Sequence, residues 1–269
     1  MSANSIKPDP ELGLCLAGGG ALGFIHIGLF RTLEELGIKP GIIAGCSSGS
    51  ILGAFYAKGF KSDEIEEMLE EFHWLRVLAA TGLRRGLLST KRMQRFFKKK
   101  LGDIRIEDLD IKLKIAAMDL QDGTLVGFTE GPLAKCLAAG AVVAGVFEPV
   151  RIGGHLYYDA GGVYNLPLEL LANEGIKTII AANTIGQFGL MRNPRSVREV
   201  LYQAYLIRTM HLVAARTGPQ GWQGKVDEEV ILIDYHTHGS NPTMISECAA
   251  MIEDAYVQSM EILGDRFGK

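Results

Sequence analysis

The chain has 269 residues, 47% hydrophobic and 22% charged, close to ordinary globular usage, which excludes disordered, collagenous and coiled-coil classes. Its formal charge of −3 leaves no bulk positive field for a polyanion, so no nucleic acid partner is expected. The 33 glycines point instead to tight turns where backbone approaches a ligand.

Residues 1–11 are polar, with Pro8 and Pro10, and read as a flexible segment without a signal peptide. A single domain over 12–269 should follow. No uncharged apolar run reaches the ~18 residues of a membrane span. Cys15, Cys46, Cys136 and Cys248 are scattered without a C-x-x-C pair, which fits a reduced, cytoplasmic protein with buried thiols.

In chain order, 12–17 reads as a short buried strand running into Gly18-Gly19-Gly20. A helix over 21–36 follows, stopped by Gly37 and Pro40. Residues 42–45 form a second apolar strand and 48–59 a helix of small residues. Residues 62–71 read as an acidic helix, with Asp63 and Glu64 at its positive end. The segment 91–101 places Met93, Phe96, Phe97 and Leu101 at helical spacing among six basic residues. It reads as an amphipathic helix with its apolar side in the core. Peripheral docking on an anionic membrane, with Leu87 and Leu88 ahead of it, is the competing reading. Further strands are predicted over 112–118, 124–128, 177–183 and 230–234, and helices over 131–139, 197–216 and 243–263. The alternation predicts a three-layer α/β/α sandwich around a mainly parallel sheet.

Three motifs carry chemistry. Gly18-Gly19-Gly20-Ala21-Leu22-Gly23 satisfies G-x-G-x-x-G between a strand and a helix. A dinucleotide site also needs an acidic residue ending the second strand, and none stands near 42–45, so no nucleotide is expected. Two readings remain: a plain strand–helix turn, or backbone N–H groups forming an anion hole at a helix start. Gly45-Cys46-Ser47-Ser48-Gly49 is a G-x-S-x-G sequence between an apolar strand and a helix. It presents either a nucleophilic Ser47 or a serine N-cap. A serine hydroxyl needs a base, and the candidates are Asp159, Asp119 and the histidines. Ser47, Asp159, then His236 or His238 imitates the α/β-hydrolase order, although that fold places several strands before its elbow. Asp159, ahead of Ala160-Gly161-Gly162, equally suits an Asx turn, while His26, His73, His155 and His211 sit in no catalytic frame.

Together these residues resemble the patatin-like phospholipase family. The resemblance rests on the run from Gly18 to Gly28, the elbow, and Asp159-Ala160-Gly161-Gly162-Val163 continuing to Asn165-Leu166-Pro167. It implies a Ser–Asp dyad without histidine, with Ser47 as nucleophile and Asp159 as its base. It also implies an oxyanion hole from Gly18, Gly19, Gly20 and Ala21, assisted by the Ser48 N–H at the helix start. Three positions depart from the family pattern. Leu22 stands where Arg or Lys is usual, Ala160 where Gly is usual, and 139–145 lacks the usual serine and proline.

The expected activity is lipid acyl ester hydrolysis of the phospholipase A or esterase type, with no metal and no cofactor. The expected partner is a lipid or acyl-ester substrate. Alternatives are a non-catalytic lipid- or acyl-binding protein on the same scaffold, and an acyltransferase using the same dyad.

Overall fold

The computed structural model describes residues 7–70, 89–187, 193–217, 229–236 and 248–268. His73, Leu87, Leu88, His238 and positions 243–247 of the last predicted helix lie outside these.

The described strands form one eight-stranded sheet. They are β1 (Asp9–Leu16), β2 (Pro40–Cys46), β3 (Lys112–Asp119), β4 (Leu125–Phe128), β5 (Val150–Ile152), β6 (His155–Asp159), β7 (Thr178–Gln187) and β8 (Glu229–His236). The order is β5-β6-β3-β2-β1-β7-β8, with β4 also paired to β3. From β3 through β8 the neighbours are parallel, while β4, β5 and β6 add antiparallel pairs at one side. β1 begins at Asp9, inside the segment expected to precede the domain, because Asp9 pairs with Pro40 and the Glu11 carbonyl accepts from Lys177.

The helices are α1 (Ile25–Glu35), α2 (Ser48–Ala57), α3 (Ser62–Glu70), α4 (Lys91–Leu101), α5 (Leu133–Ala141), α6 (Val197–Thr217) and α7 (Cys248–Phe267). No described helix is long and apolar enough to cross a membrane.

Strand alternation divides the interior into two cores. Leu12, Leu14 and Leu16 of β1, with Ile43 of β2, face a large core shared with α1, α2, α4, α5 and α7. Cys15 and Ala17, with Ile42 and Ala44, face the opposite side. That side is closed by Leu166, Leu168, Leu171 and Ile176 of an irregular segment, plus Val213 of α6. The sandwich therefore has three layers, but one outer layer is largely turns. Helix α4 sends Met93, Phe97 and Leu101 into the core, the ordinary amphipathic arrangement.

The helix predicted over 21–36 begins instead as a 3-10 turn, Gly20–Phe24, before α1. Gly20 turns the chain there with φ +62°, in the left-handed region that glycine enters at little cost. Beyond the turn, α1 crosses α7 closely. A Cβ on Gly28 would lie 2.3 Å from the Ile252 carbonyl oxygen.

Candidate active site

Two neighbouring residues of β3 bring the site together. β4 occupies one edge of β3 along Ile115–Met118. On the other edge Ala116 pairs with Cys46 of β2, and Ala117 pairs with Asp159 of β6. β2 is parallel to β3 and β6 antiparallel, so their C-terminal ends meet on that shared edge. Ser47, the residue after Cys46, is thereby carried beside Asp159, near enough for its hydroxyl to favour the ionised carboxylate.

Leaving β2, the chain must reverse at once into α2. Ser47 takes φ 50° and ψ −121°, a strained conformation for a residue with a Cβ. The flanking glycines are required by space. A Cβ on Gly45 would lie 2.6 Å from the Ser50 nitrogen, and one on Gly49 would lie 2.4 Å from the Leu16 carbonyl oxygen. Ser47 makes no side-chain cap on α2, so the N-cap reading of its hydroxyl falls. The hydroxyl of the neighbouring Ser48 is buried and has no hydrogen-bond partner among the described residues.

Asp159 leaves β6 by a 3-10 turn, Ala160–Gly162, and its Oδ1 accepts from Gly161 N–H at 2.7 Å. The Asx-turn reading therefore holds, on a carboxylate that Ser47 borders. Burial raises its pKa above the ordinary aspartate range; the Ser47 hydroxyl, the Gly161 N–H and the Cys46 thiol oppose that rise. Ala160, where the family has glycine, packs its methyl with Cys46, Ala116 and Met118. Its backbone is not left-handed, so alanine fits. Leu22, at the other departure, is fully buried in the main core. In the third departing segment, Gly140 brings α5 against β3: a Cβ there would lie 2.8 Å from the Ala116 carbonyl oxygen. The Val142 carbonyl then accepts from the Asp159 N–H at 3.0 Å.

The glycine loop lies against the elbow, since a Cβ on Gly18 would stand 3.0 Å from that of Ser47. Gly18 itself is not an available donor. Its N–H donates to the Asn165 carbonyl at 3.1 Å, so the expectation that it lines an oxyanion hole is corrected. The Gly18 carbonyl accepts from Thr184 Oγ1 at 2.5 Å and Asn165 Nδ2 at 3.3 Å. The 3-10 ladder starts only with Leu22 N–H donating to the Gly19 carbonyl at 3.2 Å. No described residue therefore claims the N–H groups of Gly19, Gly20 or Ala21. The Ser48 N–H is likewise open, because the α2 ladder starts with Ile51 donating to Ser47. These four donors sit at two helical starts, where the peptide dipoles favour negative charge.

The other candidates are engaged elsewhere. His26 is buried and its Nε2 lies 2.8 Å from the Ala17 carbonyl oxygen, bracing the residue ahead of the glycine loop. Burial lowers its pKa to about 4, outweighing that bond, so at neutral pH the ring is uncharged and Nε2–H is the donor. Asp119 Oδ1 accepts from the N–H groups of Gln121 and Asp122, and its Oδ2 meets His155 Nδ1 at 2.7 Å. Asp119, Asp122 and His155 place possible metal-ligand atoms within 4.8 Å of one another, but Asp119 is already committed to this turn. His236 lies on β8, three strands from β2, a separation of about 14 Å across the sheet. It is out of reach of Ser47.

Sequence reasoning missed two supports of the loop. Thr184 lies inside β7 with no distinguishing local signal, and Asn165 stood out only as part of a longer matching run.

Comparison with known proteins bears on the family and the fold. The family profile described as patatin-like phospholipase matches residues 14–172, more than half of the chain. An uncharacterized NTE family protein of Mycobacterium tuberculosis is 31% identical over 188 residues, covering 66% of this chain and 50% of that protein. Lysophospholipase NTE1 of Candida albicans is 30% identical over 189 residues, covering 68% of this chain and 14% of that protein. The chain thus spans half the length of the mycobacterial relative and a small part of the fungal one. Among solved structures, VipD from Legionella pneumophila superposes with a TM-score of 0.56 at 16% identity, covering 96% of this chain and 67% of that one. ExoU of Pseudomonas aeruginosa superposes at 0.52 and 14% identity, covering 98% and 54% respectively. At these identities the two structures establish a common fold.

Proposed function

Because the chain belongs to the patatin-like phospholipase family, we propose that it is a serine lipid acyl hydrolase working through Ser47 and Asp159. The observation that carries this reading is a strained, half-buried Ser47 set beside a buried carboxylate whose ionised form its hydroxyl favours. Ser47 Oγ attacks the ester carbonyl while Asp159 takes its proton. The resulting oxyanion rests on the free N–H groups of Gly19, Gly20, Ala21 and Ser48. Collapse expels the alcohol, which receives the proton from Asp159. Water, deprotonated by the same carboxylate, then attacks the acyl carbon and displaces Ser47 Oγ, which takes the proton back from Asp159 as the fatty acid leaves. Burial makes Asp159 a better base than an exposed aspartate, and the two helix starts lower the energy of the charged intermediate.

A lysophospholipid is the first substrate to test, since the fungal relative is a lysophospholipase by name. Hydrolysis of a lysophospholipid and a p-nitrophenyl ester should fall about a thousandfold or more in Ser47→Ala and in Asp159→Asn, with folding checked by circular dichroism. His155→Ala and His236→Ala should retain most turnover. Wild-type activity in Asp159→Asn, or loss in either histidine variant, would overturn the dyad. A fluorophosphonate probe that labels Lys or Tyr side chains but leaves Ser47 unlabelled would favour a lipid-binding protein on the same scaffold.

A further inference from the structure

Two buried side chains, Thr184 and Asn165, converge on one carbonyl of the glycine loop. As far as Ala17 the end of β1 is held by the sheet, the Ala17 N–H donating to the Ala182 carbonyl at 3.1 Å. At Gly18 side chains take over. Its carbonyl accepts from Thr184 Oγ1 and Asn165 Nδ2, while its N–H is taken by the Asn165 carbonyl. Gly18, Thr184 and Asn165 are all buried, where such bonds are electrostatically stronger than in water.

A peptide unit is planar, and in the trans form its C=O and N–H point opposite ways. No described peptide is cis. Holding the Gly18 carbonyl therefore fixes the Gly19 N–H, which must point away from Thr184 and Asn165. Donation to that carbonyl also polarises the peptide and strengthens its N–H as a donor. Two of the other open amides are held differently. The carbonyls opposite the Gly20 and Ser48 N–H groups are those of Gly19 and Ser47, and they accept from the backbone N–H groups of Leu22 and Ile51, each at 3.2 Å. Of these three donors, Gly19 is the one whose opposite carbonyl is gripped by side chains. Asn165 also borders the turn of the base: its Oδ1 would lie 2.8 Å from a Cβ on Gly18 and 3.1 Å from one on Gly161, whose N–H binds Asp159. Thr184 comes from β7, four strands from the β6 that carries Asp159.

We propose that Thr184 and Asn165 are positioning residues for oxyanion stabilisation, aiming and polarising the Gly19 N–H through the Gly18–Gly19 peptide. The inference rests on the serine hydrolase reading above and concerns its anion hole, not its base. Thr184 is the cleaner probe, because it grips the loop from the side of the sheet away from Asp159.

The test compares Thr184→Val, Thr184→Ser and Asn165→Ala with wild type on a short-chain p-nitrophenyl ester, well below each melting temperature. A trifluoromethyl ketone gives the second readout: Ser47 Oγ adds to its carbonyl carbon, the hydroxyl proton passes to Asp159, and the ketone oxygen becomes the oxyanion. Thr184→Val keeps the side-chain shape and deletes the donor. It should lower kcat about tenfold or more with KM within about twofold, and weaken ketone binding by the factor that kcat/KM falls. Thr184→Ser restores the hydroxyl and should recover most of the loss. The acidic limb of kcat/KM should coincide in wild type and Thr184→Val, since the base is untouched. Asn165→Ala removes the second donor and should show the same parallel loss of turnover and ketone affinity. Wild-type kcat and ketone affinity in either Thr184→Val or Asn165→Ala, with only the melting temperature lowered, would overturn the proposal. So would a Thr184→Ser no better than Thr184→Val, or an acidic limb displaced in Thr184→Val. A wild type that hydrolyses no ester, and whose Ser47 no fluorophosphonate labels, would instead remove the hydrolase reading and this inference with it.

Discussion

Cys46 Sγ lies 3.7 Å from Asp159 Oδ1, so Ser47 and the residue before it both border one buried carboxylate. Burial pushes the Cys46 thiol well above its ordinary pKa, and the neighbouring Asp159 adds to the rise. The thiol therefore stays protonated and donates. In the mechanism proposed above it would position the base, and the effect would be legible in the pH profile. Asp159 acts when ionised, so the acidic limb of kcat/KM should lie above the ordinary aspartate pKa of about 3.9. Cys46→Ala removes a donor and should raise that limb by roughly half a pH unit, while Cys46→Ser, a stronger donor, should lower it. Identical limbs in all three proteins would show that the contact is packing alone.

The glycines of the loop should separate by mechanism. A Cβ on Gly19 would meet Thr184 Oγ1 at 2.8 Å and the Leu22 Cβ at 3.0 Å, whereas one on Gly20 meets nothing within 4 Å. Gly19→Ala is thus expected to shift the donors and lower turnover by about a hundredfold. Gly20→Ala carries only the cost of a left-handed φ, about 1 kcal/mol, read as a lower melting temperature with smaller kinetic loss. A bulky side chain at Gly20 is strained by its φ and not by crowding. Steady-state kinetics beside thermal melts distinguish the two positions.

The strained serine should be a stability reservoir. At φ 50° and ψ −121°, Ser47→Gly relieves a conformation that Ser47→Ala retains. The glycine variant should unfold at higher denaturant, by about 1 kcal/mol relative to the alanine variant, though both are inactive. Equal midpoints in urea would show that the elbow stores no strain.

His26 should make stability depend on pH. Its folded pKa of about 4 lies below the ~6.5 of an unfolded histidine. Between those values the unfolded chain binds a proton that the folded one does not. Its contribution is therefore complete above pH ~6.5 and is lost as pH falls toward about 4, up to about 3 kcal/mol in all. His26→Gln keeps a donor for the Ala17 carbonyl and should flatten this slope in urea titrations between pH 7 and 5. Parallel slopes for wild type and variant would place the titration elsewhere.

The parts of the molecule that were readable in advance are those encoded locally. β1 and β2 are short apolar runs closed by glycine, and the elbow's glycines announce a turn where no Cβ fits. The meeting of Asp159 with Ser47 is different, because it depends on which edge of β3 each strand takes, and pairing registers leave no local pattern. The three-residue β5 is too short to show any period. Gly18 was assigned to the hole because a glycine run does not reveal which amides other residues have already claimed. In α6 the apolar residues are spread around much of the helix, so periodicity alone could not tell its outward stripe from its buried one.

Since Cys46 and Asp159 pair with consecutive residues of β3, the spacing of Ser47 and Asp159 is a property of sheet lattice more than of the connections between elements. The long excursion from α2 to β3 and the loop from α5 to β5 enter and leave without setting that spacing. Those connections are free to lengthen, shorten or change composition while the reacting atoms keep their separation. Access and substrate choice can then vary from one relative to another over an unaltered chemical centre.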